Sequence, residues 1–117
     1  MRASGEVTLA DVLTLIQTAR SDFERRTWPM LFDARTAVTM ATEQDVEEAV
    51  AAVERAVRTQ GPRGHVALVA DDDVLYARML LYEARCAEVG VRVIRAFRKL
   101  ADAERWLEIV AAARHFR

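Results

Sequence analysis

Two stretches of this 117-residue chain gather side chains that could do chemistry. Asp33-Ala34-Arg35-Thr36 sets a carboxylate two residues from a guanidinium, with Thr39 and Thr42 following. Asp71-Asp72-Asp73 sets three carboxylates in a row, with Tyr76 and Arg78 shortly after. An Asp–Arg pair beside hydroxyls can orient a polar ligand, and adjacent carboxylates are raw material for a divalent-cation site. Three consecutive carboxylates at one turn cannot all point at one ion, however, and the sequence places no convincing further ligand. The run therefore reads as a helix start capped by Asp72 or Asp73, and no metal or other cofactor is expected.

Catalytic groupings are thin. His65 falls beside a turn and reads as a solvated loop residue, and His115 lies near the end of the chain. No serine elbow, phosphate-binding glycine loop or paired metal-ligand motif occurs, so the chain reads as a non-enzyme. Cys86 is the only cysteine; it can form no internal disulfide and reads as a buried structural thiol. Trp28 and Trp106 read as packing residues, and Glu43, Asp45, Glu47, Glu48 and Glu54 as the solvated face of a helix.

Composition narrows the choices. About half the residues are apolar and the formal charge is −1, so the chain should fold and has no overall field drawing it to nucleic acid or anionic lipid. The start lacks the pattern of a signal peptide, and no apolar run approaches the ~20 residues of a membrane span. The expectation is one cytoplasmic domain over 1–117, with no nucleic-acid partner and no stable membrane insertion.

The elements that must position these residues follow from periodicity. Leu9, Val12, Leu13, Ile16, Ala19 and Phe23 recur at helical spacing, and Thr8 and Asp11 suit its cap, predicting a helix over 8–25. Pro29 and the run Met30-Leu31-Phe32 predict a buried strand over 28–33 ending on Asp33. A threonine-rich connection over 34–42 leads to a second helix capped by Thr42 and Asp45 and ending near Gln60. A strand over 65–70, a helix over 74–89 closed by Gly90, a strand over 91–97 and a helix over 101–115 complete the chain. This alternation predicts an α/β fold: a small, mainly parallel sheet of three strands, with scope for a fourth, covered on both faces by about four helices. Ligands of such sheets gather at the carboxyl ends of the strands.

The segment from Leu68 to Arg78 superficially resembles the acidic start of a response-regulator receiver, but no aspartate stands where a receiver's phosphoacceptor would. A fuller resemblance runs from Gly5 onward, to the SpoIIAA-like branch of the STAS superfamily of sulfate-transporter and anti-sigma-factor-antagonist domains. It is carried by Gly5-Glu6-Val7-Thr8-Leu9, Leu31-Phe32-Asp33-Ala34-Arg35, Val66-Ala67-Leu68-Val69-Ala70, Ala77-Arg78-Met79, Val93-Ile94-Arg95-Ala96-Phe97 and Ala103-Glu104-Arg105-Trp106-Leu107. The resemblance implies two strands ahead of the glycine, where only Met1 to Ser4 stand here. It also implies a phosphoacceptor near Thr42, although Met40-Ala41-Thr42-Glu43 lacks the aspartate and paired serine of the family motif.

The resulting expectation is a binding or regulatory domain that recognises a protein partner through Asp33, Arg35, Thr36, Thr39, Thr42, Asp71, Tyr76 and Arg78, with Thr42 as phosphoacceptor. The alternative is a carrier of a small apolar or anionic, lipid-like ligand, with Met40, Tyr76, Met79 and Leu80 in its pocket and Arg35 or Arg78 on its head group. A metal- or phosphoryl-dependent enzyme stands third. An uncovered sheet edge leads to the expectation of a homodimer.

Overall fold

A computed structural model describes residues 2–21 and 28–115. Its elements are β1 (Arg2–Val7), α1 (Leu9–Ser21), β2 (Met30–Thr39), α2 (Glu43–Gln60), β3 (Val66–Val69), α3 (Asp73–Glu88), β4 (Ile94–Phe97) and α4 (Leu100–His115). The strands form one parallel sheet in the order β1-β2-β3-β4. The α/β class and the parallel sheet agree with the sequence reading; the strand count is four.

Connections of one hand between neighbouring parallel strands bring their helices to one face. Accordingly α1, α2 and α3 lie side by side on that face, where Leu15 and Ile16, Val46, Val50 and Val53, and Leu75 and Met79 enter one core with Val7, Phe32 and Leu68 of the sheet. α4 has no following strand to reach and packs on the reverse face. There Ala103, Trp106 and Leu107 meet Ala67, Val69, Leu31 and Phe97. β3 is therefore buried on both sides, which is why its four residues are apolar without alternation.

The sequence placed the first strand over 28–33 and a connection over 34–42. In the structure the strand continues to Thr39, because its two halves pair with different neighbours. Met30 to Asp33 pair with β3, and Asp33 to Thr39 pair with β1. Thr36 and Thr39 reinforce the second half by donating their hydroxyls to the carbonyls of Ala3 (3.4 Å) and Val7 (2.9 Å). Arg2 to Ser4 on β1 face Asp33 to Thr36 on β2, so β2 carries one extra residue there, a bulge. Met1 to Ser4 is all that stands where the resemblance implies two opening strands, and Arg2–Val7 forms the edge strand. Gly5 within it has φ +72, a backbone state that strongly favours glycine, and such kinks blunt an exposed edge against continuous pairing.

The remaining boundaries move less. The first helix is described to Ser21, and Phe23 and Arg25 lie outside the described residues, as does the His115 side chain. The last strand begins at Ile94 rather than Val91, because α3 closes first in a Schellman turn. Gly90 (φ +89) donates to Ala87 O, and Val91 donates to Cys86 O at 2.8 Å. At β4, the other edge strand, the Ala96 N–H is taken up by the Glu83 carboxylate of α3, which accepts it at 2.7 Å. Among the described residues no helix is long and apolar enough to cross a membrane.

Candidate functional site

The residues singled out from sequence do not form one site. They divide between the two faces of the sheet. Asp33 follows Phe32 and precedes Ala34, both of which enter the α1–α3 core, so its carboxylate points to the α4 side. It is buried, and Arg35 grips it in a fork: Nε donates to Oδ1 and NH2 to Oδ2, each at 2.9 Å, while the Arg35 backbone N–H also donates to Oδ1. Arg2 adds a contact at 3.5 Å, and Asp71 and Glu104 stand within electrostatic range of Arg35. Asp33 and Arg35 are thus both strand residues at the bulge, Arg35 lying on β2 rather than in the connection expected over 34–42, and each largely satisfies the other.

The Arg35 hydrogen bonds, opposed by burial, hold the Asp33 carboxyl down at about 2. A carboxylate whose pKa is depressed on folding stabilises the fold above its unfolded value, near 4, and loses that contribution as the pH falls toward 2. Asp33 lies under two side chains that reach solvent, and screening trims the effect to about 1–2 kcal/mol. Urea midpoints taken between pH 5 and pH 2.5 should fall more steeply for the wild type than for Asp33→Asn.

The acidic turn is also accounted for. Asp72 caps α3 by accepting the Leu75 N–H at 2.9 Å. Arg98 donates to Asp71 O (2.9 Å) and Asp73 Oδ1 (2.6 Å), and its guanidinium lies 4.5 Å from the Tyr76 ring centroid. Among the described residues no three His, Cys, Asp or Glu side chains are placed to hold a metal ion. His65, read as solvated, is half-buried with its ring edge-on to Trp106 at 5.4 Å, whereas Trp28 is exposed. Cys86 is fully buried, which pushes its thiol up to about 12, and it shares a hydrogen bond with the Tyr82 hydroxyl, whose own pKa is raised by burial. A thiol so placed is a poor nucleophile and a poor metal ligand.

On the α1–α3 side the structure holds an apolar chamber of about 90 Å³ that opens to solvent. Its floor is the sheet: Val7, Met30, Phe32, Val66, Leu68 and Ile94. Its roof is Leu15 and Ile16 of α1, Val46 and Ala49 of α2, and Leu75 and Met79 of α3. Polar groups reach it from the two ends. Thr8, Thr39, Asp45 and Arg78 lie at the carboxyl ends of the strands, and Arg63 and Tyr82 toward their starts. Thr39 is saturated, since its hydroxyl donates to Val7 O and accepts from the Ala41 N–H at 2.9 Å. Arg78 is steered by its Nε–H bond to Ala41 O at 3.0 Å.

Of the pocket residues expected from sequence, Met79 and Arg78 line the chamber. Met40 and Leu80 are exposed, Tyr76 lies under Arg98, and Arg35 is on the other face. Helical geometry gives the reason. The chamber-facing stripe of α3 is Leu75, Arg78, Met79 and Tyr82, at i, i+3, i+4 and i+7, which turns Tyr76 and Leu80 away. That spacing was the available signal for Tyr82 and Leu75, which the sequence reading did not place in a pocket.

Thr42 is exposed at the rim of the chamber and caps α2. Its hydroxyl accepts the Asp45 N–H at 3.2 Å, and Asp45 Oδ2 accepts the Thr42 N–H at 2.9 Å. Thr8 and Asp11 make the same reciprocal pair at α1. Thr42→Ala should cost about 1 kcal/mol in thermal or urea unfolding, whereas Thr42→Asp, which caps as well, should be close to neutral.

Comparison with protein-family models, with curated proteins and with solved structures returned no match to this chain.

Proposed function

We propose that the protein is a non-enzymatic binding domain that takes a small apolar ligand into the chamber between its sheet and α1–α3. The observation that carries this reading is the chamber itself, an opening walled by apolar side chains from four strands and three helices. Protein interiors are normally packed without voids larger than a water molecule, and an open apolar chamber lined from every surrounding element is the usual form of a small-molecule site. On the scale of a ~150 Å³ apolar cavity that holds one benzene, about 25 Å³ for each non-hydrogen atom, its volume encloses roughly three to four such atoms, the inner end of a short alkyl chain whose remainder lies in the opening. The polar clusters favour binding over catalysis. Asp33, Asp72 and Asp73 are engaged by Arg35, the α3 amides and Arg98, and the Cys86 thiol is buried.

Titration of the intact protein with n-octanol, followed by calorimetry and by thermal unfolding, tests the proposal. Saturable binding with one site and a rising Tm is the expected result, since a ligand at 100 times its Kd stabilises the fold by about 2.7 kcal/mol. No saturable binding of octanol, benzene or another ligand of that size would overturn it.

Recognition of a protein partner, the function implied by the SpoIIAA-like resemblance, remains a second proposal, favoured by the exposure of Thr42 beside the chamber. Here a Thr42→Asp protein that folds normally but no longer binds a partner captured by the wild type is the supporting result.

A further inference from the structure

The rim of the chamber carries more charge than its walls, and the sign of that charge bears on what can enter. At the carboxyl ends of the strands the exposed or half-exposed groups are Thr8, Ala41, Asp45 and Arg78, with Asp11 and Glu43 immediately beside them. Asp11 Oδ2 holds the Thr8 N–H at 2.9 Å, which fixes its carboxylate at the start of α1. Asp45 holds the Thr42 N–H and lines the chamber itself. Glu43 approaches Arg78 NH1 at 4.0 Å.

We infer that this rim selects the ligand by charge: the chamber takes an apolar ligand whose polar end is a cation, and disfavours fatty-acid-like anions. The inference rests on the chamber reading above. Its basis is a comparison of charges. Three carboxylates, Asp11, Glu43 and Asp45, face one guanidinium, Arg78. The N-termini of α1 and α2 contribute roughly half a positive charge each, which leaves the rim negative by about one charge. The features that usually attract an anion in a parallel α/β fold are helix N-termini, and here each is already occupied by a carboxylate of the chain. Arg78 is not poised for an anionic head group, because its Nε–H is committed to Ala41 O and its charge is opposed by Glu43. The other arginine of the chamber, Arg63, lies toward the strand starts and has interactions of its own.

An ammonium about 7 Å from one net negative charge at a wetted surface gains roughly what a carboxylate loses, so the two head groups should differ on the order of tenfold in affinity. Calorimetric titration with n-octylamine, n-octanol and n-octanoate at neutral pH reads this directly. The expected order is octylamine, then octanol, then octanoate. The ratio of the first to the last should be near tenfold at low salt and shrink toward unity at 1 M salt, where the screening length is about 3 Å. In Glu43→Gln with Asp45→Asn, where the amide at position 45 keeps the capping acceptor, the rim passes from about −1 to about +1, so the order should reverse, with octanoate binding more tightly than octylamine by a similar factor at low salt. Octanoate binding as tightly as octylamine, or a ratio indifferent to salt, would overturn the charge selection and leave the chamber reading standing. Failure of octanol itself to bind would remove both. The salt series on the wild type decides the question even if the double variant unfolds.

Discussion

Phe32→Ala should cost about 3–5 kcal/mol of folding stability, the largest effect expected of any single truncation on the chamber side of the sheet. Phe32 is 4% exposed, stands in register with Leu68 and forms part of the chamber floor. Its removal takes away the transfer energy of a buried ring and leaves a void that neighbouring strands, tied by ladder hydrogen bonds, cannot collapse to fill. Because the void joins an existing opening, solvent or ligand can enter it, which places the expected cost at the lower end of that range. A domain of this length has roughly 6–18 kcal/mol in all, so the variant should remain folded at 25 °C with a clearly lower urea midpoint. The enlarged chamber should also accept a larger guest. Naphthalene, too big for the wild type, should raise the Tm of Phe32→Ala and not that of the parent. A cost below about 1 kcal/mol would show that the ring is not packed as described.

What could be read from the sequence was whatever local chemistry determines. Thr42 and Asp45 fixed the start of α2, Gly90 fixed the end of α3, and the apolar run at Val66 fixed a buried strand, because caps, turns and periodicity act within a few residues. What escaped depends on partners far along the chain. Arg2–Val7 carries only two apolar side chains, Ala3 and Val7, separated by Gly5, too weak an alternation to mark a strand; it becomes one by pairing with β2, whose Thr36 and Thr39 hydroxyls also bond to its carbonyls. The same contacts turn an expected connection into the second half of β2, which moves Arg35, Thr36 and Thr39 out of a loop and onto the sheet. Tertiary pairing overrides strand propensity in this way wherever a polar segment finds an open edge. The chamber was harder still to foresee. It depends on three helices meeting one face of the sheet, and each helix shows only its own stripe in the sequence. Proximity in sequence groups Tyr76 and Leu80 with Arg78 and Met79, whereas helical phase separates them.

Ala49→Phe should abolish octanol binding, with at least about a hundredfold loss of affinity, while leaving the protein folded. Ala49 is 3% exposed, and its methyl group forms part of the chamber roof from the middle of α2. Phenylalanine adds about six ring carbons at that point, more than the roughly three to four atoms the chamber encloses, so the side chain fills the space a ligand would need and extends into the opening. In an ordinary core the same change would overpack and destabilise by about 1–3 kcal/mol. Here the ring enters space that is already open and buries apolar surface worth roughly 25 cal/mol for each Å² removed from water. A small loss of helix propensity, a few tenths of a kcal/mol, opposes that gain. The net expectation is stability within about 1 kcal/mol of the wild type, with Tm no longer responsive to octanol. A companion substitution on the reverse face, Leu107→Ala in α4, should do the opposite, lowering stability without touching ligand binding, because Leu107 packs against the second core and does not line the chamber. Full octanol affinity in Ala49→Phe would place the ligand elsewhere. A loss of more than about 2 kcal/mol in its stability would show that the chamber lacks the room described.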